Sequence, residues 1–168
     1  MPLIFTHGCV LREKQYRKTH LGKTFGKEVI LLMKNIIKYL TIFFVGAIVY
    51  MSLEILWRGY THWTMGVVGG ICVILIGLIN EIFSDTPLMV QAPIASMIIT
   101  ELEYISGYIL NIQLGLNIWD YSQLPFNVEG QVCLYASILW MVLGILAVII
   151  DDRVRQFFGE APVKYRLI

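Results

Sequence analysis

Apolar positions in this chain do not alternate, nor do they recur in a narrow helical stripe. They fill four nearly unbroken runs, at about 36–56, 64–80, 93–114 and 131–150. Each is close to the roughly 20 residues that a hydrocarbon layer of about 30 Å requires at 1.5 Å per residue. The pattern predicts an all-α, polytopic membrane protein with four transmembrane helices. The breaks fall where turn and interface chemistry expects them. Trp57-Arg58-Gly59-Tyr60-Thr61-His62-Trp63 concentrates aromatics around a glycine turn, Ser84-Asp85-Thr86-Pro87 is a polar loop, and Asn117 to Gly130 is a longer aromatic connection. The third run is the unusual one, because apolar character persists from Leu88 to Leu116. Pro93 suits the first turn of a helix, and one tilted helix is the preferred reading. The alternative is a re-entrant half-helix ending near Thr100, followed by a second segment from Leu102.

Charge then orients the runs. Of 13 Lys and Arg, eight lie between Arg12 and Lys38, four follow the last run, and Arg58 stands alone between them. Basic residues flanking membrane helices stay cytoplasmic, so both termini are expected inside, which four crossings satisfy. Residues 1–35 read as a basic cytoplasmic arm attracted to anionic lipid, 36–150 as the membrane domain, and 151–168 as a cytoplasmic amphipathic tail beginning with a short interfacial helix. Residues 1–32 place apolar before basic positions, the reverse of a secretory signal.

The composition, 57% hydrophobic and 15% charged, leaves little for a soluble catalytic domain. A Walker-type phosphate loop, a His-Glu-x-x-His helix and a Gly-x-Ser-x-Gly elbow are all missing from the sequence. No catalytic residues, metal site or cofactor are expected, and no nucleic-acid role. Cys9, Cys72 and Cys133 have no metal-ligand spacing and read as small buried hydrophobes.

Candidate chemistry rests on acids. Between Tyr39 and Ile150 seven carboxylates, Glu54, Glu81, Asp85, Glu101, Glu103, Asp120 and Glu129, accompany Arg58 alone. Glu101 and Glu103 fall near the centre of a span drawn from Pro93 to Leu114, where a charge costs on the order of 3 kcal/mol and marks a path or an internal pair. Two residues apart, they point to nearly opposite helix faces. Glu101 shares a stripe with Tyr104, Tyr108 and Asn111, and these, together with Glu103, which shares its face with Gly107, are the transport-path candidates. Glu54 and Arg58 have the i, i+4 spacing of a structural ion pair, and His62 is an interfacial amphipathic residue. Gly66, Gly70 and Gly77 lie on one face of the second helix and predict close packing. Asn80, Glu81 and Asp85 read as solvated helix-end groups, as do Asp151 and Asp152, paired to Arg155.

With these residues laid out, Glu103-Tyr104, Gly107, Trp119-Asp120-Tyr121-Ser122, Pro125-Phe126-Asn127, Gly130, Cys133 and Trp140 stand in one order. In that order the segment from Glu101 to Ile150 resembles the ABC-transporter type IV family of small bacterial membrane proteins, also described as ABC transporter permeases. The likeness extends more weakly back to Glu54 and Arg58-Gly59. The Pro-Ile-Tyr-Gly element that members carry after Arg-Gly is replaced here by Thr64-Met65-Gly66-Val67. The resemblance implies a multi-pass protein of the bacterial plasma membrane working beside a separate transporter subunit.

Two functional expectations follow. In the first, a permease-like bundle self-associates in lipid and moves a cation or cationic solute along a polar route at Glu101. In it, Trp119, Asp120, Tyr121, Ser122, Pro125 and Asn127 form an external cap in which Asp120 and Asn127 bond turn backbone groups. In the second, the chain is a non-transporting scaffold or assembly subunit.

Overall fold

The computed structural model describes residues 4–83, 86–161 and 166, with side chains from Phe25 onward. Asp85 and most of the last seven residues lie outside the described set, as do the side chains of the basic arm before Phe25. Helix α1 runs Ile4–Arg58, α2 Trp63–Ile82, α3 Leu88–Gly107 and α4 Leu134–Phe157. A π-helical turn, Tyr108–Gln113, continues α3, and strands β1, Asn127–Val128, and β2, Val132–Cys133, form a small antiparallel hairpin. Met1–Ile37 and Lys38–Ile168 are separate compact units. The packing described below is within the second.

Among the described residues four helices are long and apolar enough to cross a membrane: Phe25–Arg58, Trp63–Ile82, Leu88–Gln113 and Leu134–Phe157. Local chemistry sets their ends. Gly59 stops α1 by adopting φ +79°, where its N–H donates to the Ile55 carbonyl at 2.9 Å, a left-handed cap that glycine reaches without steric cost. Pro87 caps α3 and Pro93 lies inside it, so the helix begins five residues before the expected start. The third run is thus one helix through Thr100 and Leu102, not a re-entrant pair. At its other side, residues 131–133, expected to open the last crossing, are drawn into the hairpin instead. Cys133 Sγ then accepts the Ala136 N–H at 3.4 Å to cap α4. Helix α4 continues through Asp151 and Arg155 to Phe157, so the segment expected as a short interfacial helix is the end of α4 itself.

Glycines set how closely the helices meet. A Cβ on Gly70 would lie 2.8 Å from the Phe43 carbonyl oxygen and 2.6 Å from its ring, and one on Gly66 would press on Met51. These two therefore face α1, while Gly77 packs against the Asp151 carboxyl of α4. Gly144 of α4 in turn lies against Ala95 of α3.

Heights along the bundle follow from these pairs. Asn80 donates to Asp152 at 2.9 Å, which sets Gly144, eight residues before Asp152, level with the middle of α2. Ala95, facing Gly144, marks the same height on α3. Glu101 and Glu103 stand six and eight residues further along, about 9 and 12 Å. They lie toward the end where α1 stops and α2 starts. Both remain near the middle of the Leu88–Gln113 span, which with its π turn is longer than α2 and overshoots it at that end.

Gly70→Ala should lower stability by about 1–3 kcal/mol, because the obstructing atom is backbone and cannot rotate away. Gly26→Ala, with open space around it, should leave stability unchanged or raise it by up to about 1 kcal/mol. Denaturant unfolding of the two variants in detergent checks both.

Candidate functional site

The connection between α3 and α4 is built around Asn111. The π-helical turn, bonded i to i+5, rotates each residue by less than an α-helix does, and this carries Asn111 off the outer face of α3. Its amide donates to the Trp119 carbonyl at 3.1 Å and to Gln131 Oε1 at 2.9 Å, and its oxygen accepts the Ile118 N–H at 2.7 Å. Trp119 donates its indole N–H to the Gln131 carbonyl at 2.9 Å. One buried amide therefore ties both ends of the loop to α3.

The rest of the loop is held by short-range bonds. Asp120 accepts from Ser122 through its backbone N–H at 2.8 Å and its hydroxyl at 3.0 Å. Asn127 donates to the Leu124 carbonyl at 2.7 Å and accepts the Gly130 N–H at 3.1 Å. Glu129 and Gly130, at φ +52° and +70°, make the hairpin turn. A side chain on Gly130 would press on Asp120. Pro125 is exposed.

Under this loop lies a cavity of about 670 Å³. Tyr50, Leu53, Glu54, Trp57 and Arg58 of α1 form one wall, and Tyr135, Leu139, Trp140 and Leu143 of α4 another. Met65 closes it from α2, Glu103 from α3, and Trp119, Asp120 and Tyr121 from the loop. Glu103 is 3% exposed, and its carboxylate accepts the Trp140 indole N–H at 2.7 Å and the Tyr121 hydroxyl at 2.9 Å. Burial, then the negative charge of Glu103, raises the Tyr121 phenol well above its ordinary range, so it remains the donor in that bond. The Tyr50 and Trp140 rings meet at 6.2 Å between centroids.

Charge around the cavity is unevenly neutralised. Glu54 binds the Arg58 guanidinium and the Thr61 hydroxyl, and Arg58 also donates to the Ile118 carbonyl at 3.0 Å, pinning the loop to the end of α1. The expected i, i+4 pair thus doubles as a loop anchor. Among the described residues the ion pairs join other groups, and Glu103 takes part in none of them.

Glu101 lies elsewhere. Its side chain is exposed on the outer face of α3, beside Tyr104 and Tyr108, whose rings are 6.5 Å apart. Tyr104 donates to Glu129 at 3.0 Å. The stripe read from helical spacing therefore divides: Glu101, Tyr104 and Tyr108 lie toward the exterior, and Asn111 is inside the loop. Gly107 lets Trp119 and Gln131 approach the face that carries Glu103.

The opposite end of the bundle holds a second polar cluster. Asp151 and Asp152 are 0% and 2% exposed, which corrects the expectation that they are solvated helix-terminal acids. Asn80 is buried as well, while Glu81 is partly open. Arg155 binds Asp151 at 2.6 Å and also Glu81, and Lys38 of α1 pairs with Glu160. The helices meet closely enough there, at Gly77, to exclude solvent from groups that the sequence places just past an apolar run. Groups of three or more His, Cys, Asp or Glu able to hold a metal ion do not occur among the described residues.

Asn111→Ala should cost about 1–3 kcal/mol by leaving the Ile118 N–H and the Trp119 carbonyl without a partner. It should also speed proteolysis between residues 114 and 133. Ser122→Ala, at an exposed position, should shift stability by no more than about 0.5 kcal/mol.

The sequence profile described as "Putative ABC-transporter type IV" matches residues 55–168. That span takes in the loop, the hairpin, Glu103, Trp140 and the polar end of α4 at Asp151, Asp152 and Arg155. No curated relative and no solved structure matches the chain.

Proposed function

Because the chain belongs to the ABC-transporter type IV family, we propose that it is a permease-like membrane subunit whose loop-covered cavity binds a cation with an apolar body. The observation carrying this reading is the Glu103 carboxylate, buried, held by two neutral donors and walling a space large enough for a solute. A buried carboxylate is costly to keep ionised without an opposite charge, and Arg58 is already engaged by Glu54. A ligand ammonium supplies that charge. The surrounding Trp57, Trp119, Tyr121, Tyr135 and Trp140 offer ring faces and edges suited to an apolar cation.

Within this proposal Glu103 touches the cation, and the Trp119 to Asn127 loop limits access to it. In this reading the chain sits in a bacterial plasma membrane, and the basic residues up to Lys38 and after Ile150 support both termini being cytoplasmic. In this reading energy coupling comes from a separate subunit, and self-association of the bundle completes it.

Propylammonium binding, followed by the fluorescence of Trp119 and Trp140, tests it. Glu103→Gln should weaken binding by about thirtyfold or more, as for a buried charge pair that loses one partner. Glu101→Gln should leave it within about twofold, the effect expected of an exposed charge. Flux in proteoliposomes should follow the same order. The reverse order would move the route to the outer face formed by Glu101, Tyr104 and Tyr108.

A further inference from the structure

A second, smaller cavity of about 60 Å³ adjoins the first. Tyr50, Leu53, Trp140 and Leu143 wall both. From there it continues between α1 and α4, over a floor of Gly69, Cys72, Val73 and Ile76 of α2 and Ile99 of α3, past Val49 and Leu146 to Ile150, and its lining is mostly apolar. By the standard reference of one probe sphere, about 10–15 Å³ per water, it has room for about four water-sized groups. The two cavities together follow the seam from Tyr135 to Ile150, fifteen residues or about 22 Å of α4. Residues facing outward line both: Leu139 is 39% and Leu146 45% exposed. The seam therefore opens sideways, on the surface that meets lipid in a membrane-spanning bundle. A solute arriving from water alone would make no use of this extension. An amphiphile dissolved in the bilayer would.

We infer that the ligand is an alkyl-chain cation taken from the membrane, with its ammonium at Glu103 and its chain in the seam between α1 and α4. This rests on the cation-binding reading above and adds the substrate class and the direction of approach. Polarity along the seam supports the orientation. The carboxylate and the hydroxyl-bearing rings of Tyr121 and Tyr60 lie at one end, and beyond Tyr50 and Trp140 the walls are hydrocarbon. Transfer of a chain from lipid into an apolar groove gains little by itself, so the head contact must select the ligand and the groove admits its chain.

The test uses the full chain in nanodiscs of zwitterionic lipid, with decylammonium carrying a diazirine at the chain terminus, and adducts mapped by peptide mass spectrometry. Adducts should concentrate on Val49, Leu146 and Ile150 and fall by about thirtyfold in Glu103→Gln. Excess propylammonium should suppress them in the unaltered protein, a measure that does not depend on the variant folding. Leu146→Trp, which fills the smaller cavity alone, should abolish adducts at Val49 and Ile150 while calorimetry still detects propylammonium. Seam adducts that resist competition and survive Glu103→Gln would mean ordinary contact with lipid chains and would overturn the inference. Adducts spread over outward-facing Ile138, Met141 and Val142, with propylammonium still bound through Glu103, would overturn the chain site and leave the cation site standing. Failure of both ammonium ions to bind would remove both.

Discussion

The bond pair at Glu103 is the constraint from which the loop end of this bundle is organised. Its two oxygens reach Trp140 on α4 and Tyr121 in the loop, so one carboxylate joins three segments. A hydrocarbon side chain at that position would leave a buried indole N–H and a half-buried phenol without these partners, which is costly. The carboxyl group satisfies both and also lines the cavity. Under the proposed function, structure and binding chemistry depend on the same group, and losing it would disturb both.

The two ends of the bundle handle charge differently. At the loop end, Glu54 and Arg58 neutralise each other and anchor the backbone at Ile118, and the ion-unpaired Glu103 looks into open volume. At the other end Arg155 and Lys38 are engaged by acids from α2, α4 and the segment after it, with Gly77 admitting Asp151 into the contact. The first arrangement leaves space for a ligand. The second closes the helices on one another.

Between these ends, close approach is controlled by small residues. Gly66 and Gly70 seat α2 on α1, and Gly144 seats α4 on Ala95 of α3. In a membrane such contacts carry association because lipid offers no hydrophobic gain for burying one apolar side chain against another. The seam between α1 and α4 is bordered by larger side chains, Leu53, Leu139, Leu143 and Leu146, and there the helices leave volume between them.

The sequence by itself determined four membrane-length helices, the Glu54 and Arg58 spacing and the family, because each depends on local composition or on residues a few positions apart. It also placed Glu101 and Glu103 on opposite faces, since a helix period alone dictates that. Which carboxylate faces inward, and at what height, was decided only by tertiary structure. The register of α3 depends on Gly144 meeting Ala95 and on a helix that starts at Pro87, and no periodicity encodes either. Asn111 left its predicted stripe because a π-helical turn altered the rotation per residue, and Asp151 and Asp152 became buried because Gly77 on a distant helix made room. The cavity has the same origin: Tyr50, Glu103, Tyr121 and Trp140 are far apart in the chain, and only helix packing brings their side chains to one wall.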